Sequence, residues 1–192
     1  MNPSEDGPAE WSTALPVAVR EVEDFLSETG WDQPPQLFAL VPTARLLEAE
    51  PGLAERLPSQ DGLTPIAQDP LADSDLAETL ATICWPAEVP GCALAQEIIV
   101  LPPEAEAELE RTVDDVGDTR SEDDLSRVAV RVAQHHPSRR EARLVVAVLR
   151  GGGHCCLLRV RGADGQPDEL VEHADLAPNL VTALLRTLDD DA

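Results

Sequence analysis

The segment REARLVVAVLRGGGHCCLLRVR, residues 140–161, predicts the central element of the fold. Two runs of mostly aliphatic residues flank three consecutive glycines, an arrangement typical of two antiparallel strands joined by a tight turn. With Gly151 to Gly153 as a three-residue loop, Val146 lies opposite Leu158, and one face of the hairpin is wholly apolar. The same register predicts three further pairs: Arg150 with His154, Val148 with Cys156 and Leu144 with Val160.

The other face of the hairpin combines arginines with apolar residues. Residues 138–161 hold six arginines and a single acid, Glu141, which gives a local charge of +5 in a chain whose net charge is −23. The arginines either neutralise acidic segments of the same chain or border a docking face for a protein partner or a second copy of the chain. The residues of that hypothetical docking face are Arg143, Leu157, Arg159 and Arg161.

The predicted register places Arg143 opposite Arg161, and two like charges in that position need a carboxylate between them. If the arginines only neutralise their own chain, we expect this carboxylate to come from the acidic residues at 104–124 or from the DDD sequence near the end of the chain. If the face docks a partner, the partner supplies the carboxylate.

The thiols beside the glycine loop raise the alternative of an active site. A catalytic cysteine requires a nearby base and a group that orients the base, and the sequence places neither beside Cys155 or Cys156. Adjacent strand residues point to opposite faces, so this pair forms neither a shared zinc site nor a relaxed disulfide. With Cys84 and Cys92, they are predicted to be reduced, half-buried side chains. The sequence thus predicts no catalytic residue, no metal and no cofactor.

Composition narrows the classes of partner. The chain has 192 residues, of which 43% are hydrophobic, enough for one core of ordinary size. A net charge of −23 argues against binding nucleic acid or an anionic membrane, because both require a basic surface. The first residues are acidic where a signal peptide is basic, and no apolar run approaches the roughly 18 residues that span a bilayer. We therefore expect a cytoplasmic protein.

Periodicity and turn residues predict the other elements. Helices are expected at 16–29, 43–57 with a break near Pro51, 73–84, 121–136 and 176–188, and strands at 36–41, 91–101 and, as a brief extended piece, 63–67. The first helix has an apolar face of Val19, Val22, Phe25 and Leu26. This order predicts an α+β domain whose mixed or mainly antiparallel sheet of four to five strands carries packed helices, with a C-terminal β-hairpin followed by a helix.

The predicted domain covers residues 15–188. Residues 1–14 are polar and proline-containing and are expected to form a disordered arm, and residues 189–192 a frayed acidic tail. The acids in the connection at 102–121 are spaced somewhat like those of a calcium-binding EF-hand loop. The sequence does not match that loop, because it lacks a glycine at the sixth position and has Leu125 at the twelfth. His135 and His136 are expected to cap a helix end rather than bind metal.

Three segments resemble a small family of uncharacterised actinobacterial proteins: GWDQPPQLFALVPTARLLEAEPGLAERL, ICWPAEVPGCALAQEIIVLPPEAE and HPSRREARLVVAVLRGGGHCCLLRVR. The resemblance covers most of the chain beyond the N-terminal arm and is most specific in WDQPP…LFALVPTA. It implies a lineage and assigns no activity. The lack of lysine agrees with the GC-rich genome of an actinobacterium.

We expect a non-enzymatic interaction or regulatory protein that uses its sheet or hairpin face, because the sequence contains no phosphate loop, no metal-ligand spacing and no nucleophile with a base. Two alternatives remain open. One is a small hydrolase or ligand-binding enzyme whose site is assembled from scattered acids and His154. The other is an acidic decoy of a nucleic-acid-binding protein, which rests on charge alone.

Overall fold

A computed structural model of the chain describes residues 11, 13–55, 57, 61–69, 71, 76–102, 105, 107, 133, 135–163 and 165–189. Several predicted segments lie wholly or mostly outside these residues: most of the N-terminal arm, most of the acidic connection with its calcium-like spacing, most of the helix at 121–136 and the end of the acidic tail.

The described residues form four α-helices and six strands. The helices are α1 (Leu15–Thr29), α2 (Thr43–Ala49), α3 (Leu76–Leu80) and α4 (Pro178–Thr187). The strands are β1 (Gln36–Pro42), β2 (Leu63–Ala67), β3 (Gly91–Val100), β4 (Arg140–Leu149), β5 (His154–Val160) and β6 (Glu169–Glu172). Short 3₁₀ turns follow α2 at Pro51–Leu53 and precede α4 at Ala174–Leu176.

The strands form one sheet in the order β2, β1, β3, β4, β5, β6. β1 pairs antiparallel with both neighbours, so Ala39 lies between Ile66 of β2 and Cys92 of β3. The α+β class is confirmed, but the sheet has six strands instead of four to five. The sequence did not predict β6, because its four residues, ELVE, include two acids and show no apolar alternation.

The chain divides into two compact units. The first comprises residues 1–97, 144–158 and 171–192, and the second comprises residues 98–143 and 159–170. Strands β3, β4, β5 and β6 each contribute residues to both units.

In the first unit, helices cover both faces of the sheet. The buried side of α1 packs on the face that holds Phe38, Ala93 and Val145. Cys92 points to the opposite face, because it is the strand neighbour of Ala93, and its Sγ lies 3.7 Å from Oγ1 of Thr187 in α4. α3 packs against α4. The sheet face proposed for docking therefore lies beneath a helix in this unit.

The hairpin forms, but in a different register from the predicted one. The N–H of Leu149 donates to the carbonyl of Gly153, and the N–H of Gly152 donates to the carbonyl of Leu149, each at 2.8 Å. The three-residue loop is therefore Arg150 to Gly152, one position earlier than predicted. Gly152 has a φ of 88°, which glycine adopts at little cost. Val146 consequently lies opposite Cys156, and the predicted pairing with Leu158 is wrong by two residues.

The second unit shows the same correction at the other end of the hairpin. The N–H of Arg161 donates to the carbonyl of Glu141 at 2.8 Å, so these two residues lie opposite each other. Nη1 of Arg161 is 2.5 Å from Oε2 of Glu141. The prediction that Arg143 lies opposite Arg161 is therefore wrong. Arg161 lies opposite Glu141 and forms an ion pair with it.

Candidate functional site

Two of the four residues assigned to the hypothetical docking face are buried. Arg143 is 2% exposed and Leu157 is 4% exposed. In the second unit, Nη1 of Arg159 lies 3.7 Å from Oδ2 of Asp168, while Arg161 pairs with Glu141. A docking face on this hairpin is thus restricted to two arginines, each of which lies beside an acid of its own chain.

Three acids of the second unit lie beside its arginines. Besides Glu141 and Asp168, Glu169 places Oε2 3.7 Å from Nη1 of Arg140. Asp168 also accepts a hydrogen bond from the N–H of Gly162 at 2.9 Å. Each of these acids lies inside or directly before a strand of the sheet. The acidic residues at 104–124 and the last two acids of the DDD sequence, where the sequence suggested a carboxylate, lie outside the described residues.

Arg150, in the hairpin loop, makes several hydrogen bonds to main-chain carbonyls. Its guanidinium donates to the carbonyls of Trp85 and Val89 at 2.9 Å and of Pro86 at 2.8 Å, and it also donates to the carbonyl of Leu188. Its backbone N–H donates to Pro90 at 2.9 Å. Most N–H donors of the Arg150 guanidinium thus bond to main-chain oxygens. The side chain therefore stabilises the fold and has few donors left for a ligand.

The thiols are positioned as structural side chains. Cys155 belongs to the core cluster beneath α1, whereas the Sγ of Cys156, on the opposite face, lies 3.2 Å from the carbonyl oxygen of Ala174. Burial raises the pKa of Cys92 to about 11 and that of Cys155 to about 11, and burial also raises the pKa of Cys156. All four cysteines are free, as predicted, although Cys84 is exposed.

The histidines of the described segments interact with turns. Nδ1 of His154 lies 3.4 Å from the carbonyl of Gly152. Nδ1 of His173 accepts a hydrogen bond from the N–H of Asp175 at 3.1 Å, and this contact caps the 3₁₀ turn before α4. Within the described residues there is no group of three or more histidine, cysteine or carboxylate side chains that could hold a metal ion.

The WDQ sequence after α1 forms a turn around a carboxylate. Gly30 ends the helix with a φ of 93°, and Asp32 adopts a φ of 66°. The N–H groups of Asp32 and Gln33 donate to the two carboxylate oxygens of Glu97, at 2.9 and 3.2 Å. Successive backbone N–H groups arranged in this way form an anion-binding concavity. Here β3 supplies the anion, and the contact fixes the path from α1 into β1.

Helix α1 has an exposed apolar surface that the sequence analysis did not predict. Val17 is 56% exposed and Phe25 is 51% exposed. Val17, Glu21 and Phe25 follow one another at intervals of four residues, so they lie along one side of the helix. We call these three residues the outer strip of α1. The apolar face predicted for the first helix included Phe25, but only half of this residue is buried. Its ring contacts Phe38 edge-on, with centroids 6.2 Å apart, and half of the residue remains in solvent.

A groove of about 310 Å³ adjoins the outer strip. The described residues that line it include three threonines, two acids and several apolar residues: Thr13, Thr43, Thr64, Glu21, Asp61, Val17, Leu57 and Leu63. Oγ1 of Thr43 and Oγ1 of Thr64 are 2.9 Å apart and share a hydrogen bond. Burial raises the pKa of Glu21, and the nearby negative charge of Asp24 raises it further.

A second cleft, of about 420 Å³, lies where α3 meets α4. Its lining is mostly small and apolar, with the charged residues Arg186 and Asp189. The Sγ of Cys84 lies 4.0 Å from the carbonyl oxygen of Asp189. One cation and one acid balance each other in this lining, so the cleft shows no preference for a charged ligand.

Comparisons with known proteins identify a family. A family described as PPA1309-like protein matches residues 15–189. Searches of curated proteins and of solved structures find no match. Among the helices of the described segments, none is both long enough and apolar enough to cross a membrane.

Proposed function

The chain belongs to the PPA1309-like protein family, and we propose that it is a non-enzymatic interaction or regulatory protein that binds another protein through the outer strip of α1. The observation that carries this proposal is the exposure of Val17 and Phe25, at 56% and 51%. Large apolar side chains aligned on an accessible helix face are the kind of surface that a protein partner buries.

The adjoining side of α1 attaches the helix to the sheet. Its buried residues are Leu15, Ala18, Val19, Val22, Glu23 and Leu26. Val17 contributes little to this attachment, because more than half of it is in solvent. The outer strip is therefore available to a partner without any opening of the core.

The chemistry of the thiols supports a non-enzymatic protein. A cysteine nucleophile reacts as the thiolate, and burial disfavours that form at Cys92, Cys155 and Cys156. Cys84 is exposed, but a lone exposed thiol defines no reaction. We also propose that the protein is cytoplasmic, which its composition supports, and that it comes from an actinobacterium, which the resemblance supports.

The test compares two pairs of polar substitutions in the native cell. Val17→Gln with Phe25→Gln alters the outer strip, and Leu170→Gln with Val171→Gln makes the same chemical change at two other exposed apolar residues. Each variant is purified from its own cells under identical conditions, and the proteins that accompany it are quantified by mass spectrometry. We expect the outer-strip variant to lose a partner that the control variant retains.

Thermal unfolding of both variants distinguishes a lost surface from a lost fold. All four residues are partly exposed, and Phe25→Gln also removes the edge-on contact with Phe38, so we expect both variants to stay folded with only a small decrease in unfolding temperature. If the outer-strip variant folds normally and retains every partner that the unaltered protein recovers, the proposed function is wrong.

A further inference from the structure

We propose that two copies of this chain associate through strand β6, which pairs antiparallel with β6 of the second copy. The sheet ends on this strand. Every residue of β6 is exposed, including the apolar residues Leu170, at 54%, and Val171, at 36%. The inference goes beyond the proposed function, because a second copy is a different partner from the protein that the outer strip of α1 binds.

The main chain of β6 offers hydrogen-bonding groups on its outer side. The N–H of His173, the residue after β6, donates to the carbonyl of Cys156 in β5 at 3.2 Å. Successive strand residues direct their main-chain groups to alternate sides, so Leu170 and Glu172 direct theirs away from β5. Among the described residues, none forms a hydrogen bond with these outward groups. An edge of this kind is a template for another strand.

The opposite edge of the sheet, strand β2, lacks such a row of donors. The N–H of Thr43 donates to the carbonyl of Gly62, the residue before β2, at 3.0 Å. By the same alternation, Leu63, Pro65 and Ala67 direct their main-chain groups outward. Proline has no N–H, and a proline on an edge strand opposes the addition of another strand. β6 contains no proline, so it is the edge that accepts a strand more readily.

The symmetry of a dimer and the acids of β6 select one register. With Val171 opposite Val171 of the second copy, Leu170 of each copy lies opposite Glu172 of the other, and their outward groups bond reciprocally. The neighbouring symmetric registers bring carboxylates together. With Leu170 opposite itself, Glu172 would face Asp168 of the second copy, and with Glu172 opposite itself, two glutamates would face each other.

The side chains also complement each other in the selected register, which places Glu169 opposite His173 of the second copy. Nδ1 of His173 accepts a hydrogen bond from the N–H of Asp175 at 3.1 Å, so the neutral ring carries its proton on Nε2. This N–H is a donor for the carboxylate of Glu169 of the second copy. The two copies of Val171 form an apolar pair between two such contacts.

Arginines of the same chain offset the acids of β6. Nη2 of Arg20 lies 2.7 Å from Oε2 of Glu172, and Nη1 of Arg140 lies 3.7 Å from Oε2 of Glu169. The net charge of −23 still opposes the approach of two copies. Salt screens this repulsion, so the dimer should become stronger as the salt concentration rises.

Analytical ultracentrifugation of the full-length protein tests the association. We expect the sedimentation coefficient to change from that of a monomer to that of a dimer as the protein concentration rises. Leu170→Pro removes an outward N–H and leaves the bonds to β5 in place, so it should weaken the dimer at least about tenfold. Leu170→Ala keeps this N–H and is the matched control; it should weaken the dimer less than about threefold.

Disulfide formation tests the register, in a Cys84→Ser background that removes the exposed native thiol. In the proposed register the Cα atoms of the two copies of Val171 lie about 4.5 Å apart, within the roughly 4.4–6.8 Å that a disulfide spans. Val171→Cys should therefore form a disulfide-linked dimer on mild oxidation. The two copies of Leu170 are diagonal neighbours about 7–8 Å apart, so Leu170→Cys should form one much more slowly.

Three results would each overturn the proposal. The first is a protein that stays monomeric at about 0.5 mM and at high salt. The second is association that folded Leu170→Pro leaves unchanged, and the third is equal cross-linking of the two cysteine variants, because the copies would then meet through another surface or register. Thermal unfolding shows whether each variant is folded. If Leu170→Pro does not fold, the two cysteine variants decide the outcome.

Discussion

The guanidinium of Arg150 donates to the carbonyl oxygen of Leu188, the residue that follows α4. The last carbonyls of a helix have no donor within the helix and carry partial negative charge, so a cation stabilises them. The same side chain holds the main chain at Trp85, Pro86 and Val89. One loop residue of the hairpin thus connects the end of α4 with the segment that leads into β3.

Replacement of Arg150 by Met should strongly destabilise the protein. Four carbonyl oxygens lose their charged donor, and hydrogen bonds to a charged group are worth more than neutral ones. We expect a loss of about 3 kcal/mol in the free energy of unfolding, measured by urea denaturation. Arg45→Met, at an exposed position of α2, is the matched control and should change stability by less than about 0.5 kcal/mol. Similar effects of the two substitutions would contradict this assignment.

Replacement of Gly152 by Ala tests the position of the hairpin loop. Because Gly152 adopts a φ of 88°, an alanine there should cost about 1 kcal/mol of unfolding free energy. Gly151 is exposed and is not among the glycines with positive φ, so Gly151→Ala should cost less than about 0.5 kcal/mol. If the two alanines cost the same, the loop is not the one described.

The pattern of the hairpin could fix the faces of its strands but not their register. Alternation repeats every two residues, so shifting the pairing by two leaves every side chain on the same face. Val146 therefore shares its face with both Leu158 and Cys156, and the apolar pattern cannot choose between them. The choice depends on which glycine adopts a positive φ, and three consecutive glycines make that choice ambiguous in sequence.

Elements with strong local signals were predictable, and the candidate site was not. Gly30 ends α1 as expected, and the extended piece at 63–67 is β2. The groove, in contrast, combines Glu21 with Asp61, which are 40 residues apart, and nothing local in the sequence indicates that they meet. The available signal was the number of apolar residues in α1, which includes Val17 and Phe25 in addition to those that one side of the helix can bury.

Glutamine in place of Arg143 and of Arg161 should have different effects on stability. Arg143 is 2% exposed, and removing a buried charged group from its surroundings should cost about 3 kcal/mol. The side chains of Arg161 and Glu141 are each 45% exposed, so Arg161→Gln should cost between about 0 and 1 kcal/mol. Urea denaturation measures both values. Equal small losses would mean that Arg143 is accessible, as the docking-face hypothesis for the hairpin requires.

Reactivity of the cysteines should divide them into one accessible thiol and three protected ones. Iodoacetamide reacts with the thiolate, so at pH 8 the folded protein should be alkylated at Cys84, which is exposed, and only slowly at Cys92, Cys155 and Cys156, which are buried. Mass spectrometry counts the adducts. A Cys84→Ser variant should remain unmodified over the same period, and the urea-unfolded protein should be alkylated at all four positions.

The same burial predicts how stability changes with pH. For Cys92 and Cys155 the pKa rises from 9.0, the value without burial, to about 11 in the folded protein, so folding favours the neutral thiol. Their contribution to stability is fully present below pH 9 and is lost as the pH rises through about 11, because the unfolded chain releases these protons first. The midpoint of urea unfolding should therefore decrease over this interval.

Replacing Cys92 and Cys155 with Ala removes both titrating thiols and should reduce the decrease, whereas Cys84→Ser should leave it unchanged. An equally steep decrease in the alanine variant would assign the pH dependence to other groups.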